Sequence, residues 1–202
     1  MFRLIVMCCM ALGTAAAADT PVKRLFEQER LALGQISGER RASYLSQPET
    51  DVEYSRDWLA QVDAVKGGEE WQCLAEALYF EARGESVRGQ FAVAEVIMNR
   101  VDSAEFPDSI CGVVHQGTGR KFACQFTYTC DGHEEVIAEK GAYREVGKVA
   151  GLMVDGAPRR LTDGATHYHT RAVNPRWARA FPRTATIGVH HFYRMPTRLS
   201  SN

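Results

Sequence analysis

The stretch from Val87 to Val101 constrains the fold more than any other part of the chain. Val87, Phe91, Ala94, Met98 and Val101 recur at intervals of four and three, and Val93, Val96 and Ile97 widen that stripe until nearly the whole circumference is apolar. A helix with no polar side has to be covered from every direction. Ser86 stands where it can cap it. Just before it, residues 69–83 place Trp71, Leu74, Ala75, Leu78 and Ala82 on one helical stripe, and Gly84 is positioned to stop that helix.

The rest of the chain supplies the cover. After a loop-rich stretch from Phe106-Pro107 to Gly117-Thr118-Gly119, the run Asp131-Gly132-His133-Glu134 has the spacing of a capping box. Val136, Ile137, Tyr143, Val146, Val149 and Met153 continue at helical intervals as far as Gly156-Ala157-Pro158, which predicts a third helix. Residues 165–170 and 185–193 are short and rich in Thr, Val, Ile, Phe, Tyr and His, and Asn174-Pro175 separates them, which predicts two strands. The expectation is a helix-rich α+β domain with a small β-sheet near the C-terminus.

Three segments follow from composition. Residues 1–18 combine Arg3, an apolar run from Leu4 to Leu12 and a small-residue Ala16-Ala17-Ala18 site, the order of a secretory signal. The run is too short to span a bilayer, so export without stable membrane insertion after signal cleavage is expected, to the periplasm or outside the cell. Residues 19–69 are polar, with seven basic and eleven acidic side chains through Glu70, and read as an extension ending at Gly67-Gly68. Residues 70–202 read as the main folded domain. Losing residues 1–18 removes Cys8 and Cys9 and leaves Cys73, Cys111, Cys124 and Cys130 in an oxidising compartment, which predicts two disulfides with the pairing open. A zinc site competes, but no C-x-x-C pair supports it.

Charge is distributed unevenly. Residues 158–202 hold eight arginines and one acid, Asp163. Such a surface suits an anionic polymer, and export favours the carboxylates of peptidoglycan over nucleic acid.

The strongest chemical signal is Tyr79-Phe80-Glu81-Ala82-Arg83-Gly84-Glu85. Glu81 falls in the last turn of a helix, where the negative end of the dipole disfavours ionisation, and Phe80 helps to desolvate it. Both effects raise its pKa, the direction a general acid needs near neutral pH. Arg83 opposes them if it lies close. A surface ion network of Glu81, Arg83 and Glu85 would explain the same spacing.

Several ordered blocks carry a resemblance. Cys73-Leu-Ala-Glu-Ala-Leu-Tyr-Phe-Glu-Ala-Arg-Gly-Glu85, Gly89-Gln90-Phe-Ala-Val-Ala-Glu95, Asn99-Arg100-Val101, Phe106-Pro107-Asp108-Ser-Ile-Cys111, Cys124-Gln125-Phe-Thr-Tyr-Thr-Cys130, His167-Tyr168-His169 and Ile187-Gly-Val-His-His-Phe-Tyr193 follow one another in the order of the SleB-type (spore-cortex-lytic) cell-wall hydrolase family, which this chain resembles over roughly residues 71–194. The resemblance implies a lysozyme-like fold and a glycosidase of the lytic transglycosylase type, cutting peptidoglycan glycan strands at N-acetylmuramic acid. It places the catalytic acid at Glu81; Arg83 and Glu85 are the expected supporting residues, and no cofactor or metal is expected, since no carboxylate or cysteine stands beside the histidines in a metal-ligand pattern. Gln125, Thr127, Tyr168, His169 and Trp177 suit the polar edges and apolar faces of amino sugars as groove lining. Two other classes compete: a non-catalytic wall-binding protein, and a metal-dependent amidase or peptidase drawing on His167, His169 and His190. Candidate second carboxylates for ordinary hydrolysis are Glu85, Asp131 and Asp163.

Overall fold

The computed structural model describes residues 21–35, 51–120 and 123–196. The expected signal at 1–18 lies outside them, as does much of the extension. The chain divides into two units, Met1–Pro48 and Glu49–Asn202. In the first, helix α1 (Pro21–Gln35) exposes Val22, Leu25, Phe26 and Leu31 to solvent. Among the described residues no helix is long and apolar enough to cross a membrane.

The second unit is built around the helix its sequence demanded. After α2 (Arg56–Gln61) and α3 (Glu69–Ala82) comes α4 (Val87–Val101), whose Phe91, Ala92, Val93, Ala94, Val96 and Ile97 are all buried. The Ser86 hydroxyl accepts from the Gly89 amide, so the predicted cap is formed. Helices α3, α5 (Ile110–Val114) and α6 (Lys140–Val154) pack around α4. The close approach of α3 to α6 depends on Gly147: Trp71 donates from Nε1 to its carbonyl at 2.8 Å, and a Cβ there would press on the indole.

Part of the segment read as an extension belongs to this unit. Leu59 is fully buried, Tyr54 and Trp58 pack on Phe91 at 5.2 and 6.4 Å, and Lys148 donates from Nζ to the carbonyls of Leu59 and Ala60. Apolar residues too sparse to predict an element still find a groove in the helical core.

The third helix begins later than its capping box. The carboxylate of Asp131 accepts from the His133 amide two residues on, and Gly132 adopts φ +82°. These close a local turn after a 3-10 helix (Thr127–Cys130), and α6 starts only at Lys140. The sheet also differs from expectation. Residues 185–193 turn back on themselves at Gly188 (φ +59°), giving β2 (Arg183–Ile187) and β3 (His190–Tyr193) beside β1 (His167–Thr170). The order is β1-β3-β2, all antiparallel, with His169 opposite His191 and Tyr168 opposite Phe192.

Polar side chains on α4 tie the helical layer to the sheet. Glu95 is buried and accepts from the amides of Leu161 and Thr162 at 3.0 and 2.9 Å, while Asn99 donates to the Ala165 carbonyl and Arg100 to that of Thr166. The entry of β1 is thereby fixed over the end of α4.

Candidate active site

Glu81 lies in the last turn of α3, half-buried, beneath β1. Tyr168 reaches down from the sheet and its hydroxyl donates to Oε2 of Glu81 at 3.1 Å. A cavity of about 120 Å³ opens here, lined by Glu81, Arg100, Gln125, Phe126, Thr127 and Tyr168. The loop carrying Gln125, Phe126 and Thr127 is closed by the Cys124–Cys130 disulfide, and Cys73–Cys111 joins α3 to α5. All four cysteines expected to pair are therefore used.

The electrostatics of the cavity come from burial. Desolvation raises the Glu81 pKa above its ordinary value, against smaller lowering contributions from the Tyr168 hydrogen bond and the Arg100 charge. Arg100 is 3% exposed, and burial pushes its pKa down to about 10. Its guanidinium lies near the Phe106 and Phe126 rings, its Nε donates to the Thr166 carbonyl at 2.7 Å, and Gln125, with its amide oxygen turned inward, accepts from Nη1 and Nη2 at 3.3 and 3.2 Å. Burial, followed by the charge of Glu81 and against the opposing charge of Arg100, also holds Tyr168 well above the usual phenol range, so it acts as a neutral donor.

The cation facing Glu81 is thus Arg100, and Arg83 points elsewhere. Arg83 lies over the Tyr79 ring, donates to the Tyr79 carbonyl and pairs with Glu139 at 3.1 Å. Glu85 turns away as well: it is buried, accepts from the Val189 amide at 3.3 Å and faces His190 Nδ1 at 3.4 Å. The surface ion network that spacing allowed is not what forms.

Of the expected groove residues, Gln125, Thr127 and Tyr168 meet Glu81 in one cavity, whereas His169 and Trp177 do not line it. The pleat explains the division, because successive strand residues face opposite ways. His169 stacks on Tyr193 at 5.2 Å and Trp177 packs beside both on the other face of the sheet. The same alternation separates the proposed metal trio. His167 packs against Trp177 and Phe181, with its pKa lowered to about 4 chiefly by burial, while His190 lies beside Tyr168 against Glu85. Among the described residues no three potential ligands converge.

Sequence reasoning gave no role to Arg100 or Phe126. Phe80 stacks on Tyr128 at 4.4 Å, and the Tyr128 hydroxyl is buried without a hydrogen-bond partner among the described residues. One available signal was a charge on a largely apolar helix, since Arg100, like Glu95 on the same helix, must find partners inside the fold.

A desolvated carboxyl group held by a neutral phenol, near a buried guanidinium, is an arrangement that can serve acid–base chemistry, and here it sits on a helix-rich α+β domain. The sequence model of the cell wall hydrolase family matches residues 84–193, beginning three residues after Glu81. The spore cortex-lytic enzyme of Halalkalibacterium halodurans is 33% identical over 144 residues, 70% of this chain and 40% of that protein. That of Bacillus cereus is 31% identical over 122 residues, 60% of this chain and 42% of that protein. The chain thus spans about two fifths of the length of these relatives. The solved catalytic domain of the germination-specific lytic transglycosylase SleB from Bacillus anthracis is 30% identical, covers 66% of this chain and all of that domain, and superposes with a TM-score of 0.50. This chain belongs to the SleB-type cell wall hydrolase family.

Proposed function

We propose that the protein cleaves peptidoglycan glycan strands at N-acetylmuramic acid as a lytic transglycosylase, with Glu81 as both acid and base. The carrying observation is that, among the described residues, Glu81 is the only carboxyl group lining the cavity. Glu85 is committed to the Val189 amide and His190, Asp131 to the His133 amide, and Asp163 faces Arg194 at 3.8 Å. Ordinary glycosidases use two carboxyl groups about the scissile bond, one to activate water or attack carbon. A single group suffices when the sugar supplies its own nucleophile.

In this scheme Tyr168 occupies Oε2 and leaves Oε1 to present the proton. Glu81 protonates the glycosidic oxygen as the bond from C1 breaks, the electron pair leaving with that oxygen. The 6-hydroxyl of the same sugar then closes on C1 and returns its proton to the Glu81 carboxylate, giving an anhydro ring without consuming water. Arg100 and the Tyr168 hydroxyl stabilise the carboxylate between the two transfers. Gln125 and Thr127 supply amide and hydroxyl groups for the sugar's polar edge. The setting is the wall side of the cell, reached by export.

Mass spectrometry of fragments released from purified peptidoglycan tests this. Anhydromuramic ends are expected, and a Glu81→Gln variant should release none. Reducing ends would instead mean hydrolysis, and free stem peptides an amidase.

A further inference from the structure

The face of the sheet turned away from Glu81 has a composition that the cavity does not use. Arg171, Arg176, Arg179 and Arg183 are exposed and make no ion pair among the described residues. Their positions converge. Arg183 lies opposite Tyr193 in register, while Arg176 and Arg179 flank Trp177, whose ring packs 5.3 Å from that of Tyr193. Burial, with the charges of Arg183, His169 and Arg171, lowers the pKa of His191, so Arg171 and Arg183 bear on the same point of the face. No acid occurs anywhere from Gly164 to the C-terminus.

A positive surface without internal counter-charges is suited to a polyanion that brings them. The pleat settles that this is a separate surface: Tyr168 points to Glu81, while its neighbour His169 lies opposite His191 on the other side. Resting on the reading of the protein as a peptidoglycan-cleaving enzyme, we propose that this arginine-rimmed face is a second wall-binding surface that takes the carboxylates of peptidoglycan stem peptides. Four arginines around an aromatic platform match a ligand with carboxylates spaced along short aliphatic peptides. Such peptides project from every strand of the wall, so a contact outside the cavity tethers the enzyme near its substrate and raises the local concentration of glycan.

The test measures binding of the full-length Glu81→Gln protein to insoluble sacculi at several salt concentrations, so that cleavage does not enter the readout. Replacing Arg171, Arg176, Arg179 and Arg183 together with glutamine should weaken binding by roughly tenfold or more and flatten its salt dependence. Replacing the same four with lysine should largely preserve it. Sacculi whose carboxylates have been capped as methylamides should lose the difference between the variants. Equal binding by the glutamine variant, or unchanged discrimination on capped sacculi, overturns the proposal. So does tighter binding to phosphatidylglycerol vesicles or duplex DNA than to sacculi, which would assign the face to another polyanion. Failure of the glycosidase reading would show separately, as absence of anhydro ends from the wild-type protein.

Discussion

The Tyr168 hydroxyl donates a 3.1 Å hydrogen bond to Oε2 of Glu81, joining a strand to a helix end 87 residues earlier in the chain. Because this bond favours the carboxylate, it lowers a Glu81 pKa that burial has raised. Tyr168→Phe keeps the ring against His190 and Phe192 and removes only the donor. Turnover should fall about 10- to 100-fold, the magnitude of one hydrogen bond to a charged group. The sign of the pH effect is fixed. A general acid must be protonated, its activity disappears as pH rises through its pKa, and loss of the donor raises that pKa. The alkaline limb of the pH–rate profile should therefore move to higher pH, and a shift to lower pH would contradict the assignment.

Glu81→Gln separates stability from chemistry. A carboxyl whose folded pKa is raised contributes stability that is complete below its unfolded value and lost as pH rises through the folded one. The amide never ionises. The variant should melt at or above the wild-type temperature, with the gap widening as pH is raised from about 4. Lysis should fall by several orders of magnitude, since acid and base are lost together. Melting curves across pH, beside turbidity of peptidoglycan suspensions, check both halves.

What the sequence made legible and what it hid follow from the range of the interactions involved. The buried helix Val87–Val101 and the stripe of α3 were plain because periodicity is local and burial on all sides leaves few alternatives. At Glu81 the helix end and its neighbours bias a carboxyl group, but they fit a surface ion network equally well, and the ordered blocks of family resemblance singled it out. Arg100 was missed because its partners, Thr166 and Gln125, lie 66 and 25 residues away. The capping box at Asp131 misled because one carboxylate closes either a helix or a turn, and the choice depended on what followed. His169 and Trp177 were grouped with Tyr168 by type, whereas the pleat sends them to opposite faces.

Glu85 should matter to stability more than to chemistry. Its buried carboxylate accepts from the Val189 amide and faces His190, fixing the β2–β3 turn to the junction of α3 and α4, and Gly188 leaves it room that a Cβ would fill. Glu85→Ala leaves that amide without its acceptor, a cost of about 1 to 3 kcal/mol. For a domain of this size each kcal/mol lowers the melting temperature by roughly 2 to 4 °C. Glu85→Gln should be milder, and at a temperature where it is folded it should still release soluble wall fragments. Loss of lysis as deep as that of Glu81→Gln, without loss of folding, would transfer the acid role to Glu85.

The two disulfides should fail in different ways, because they close loops of different size and purpose. Cys73–Cys111 spans 38 residues, and the chain-entropy model gives it about 4 kcal/mol of stabilisation, against about 2 kcal/mol for the six-residue span of Cys124–Cys130. The shorter loop nevertheless carries Gln125, Phe126 and Thr127, half of the residues lining the Glu81 cavity. Freeing it lets those side chains leave the geometry that Arg100 and the disulfide impose together, and loss of positioning is felt in turnover before it is felt in unfolding. Replacing Cys73 and Cys111 with serine should therefore give the larger drop in melting temperature, with activity recovered on cooling. Replacing Cys124 and Cys130 should give the smaller drop and the larger loss of turnover, measured where both variants are fully folded. Denatured, unreduced wild-type protein purified after export should titrate no thiol from these four residues. The opposite ranking, with the short loop governing melting and the long one turnover, would show that the loop at Gln125 holds its shape without the bond.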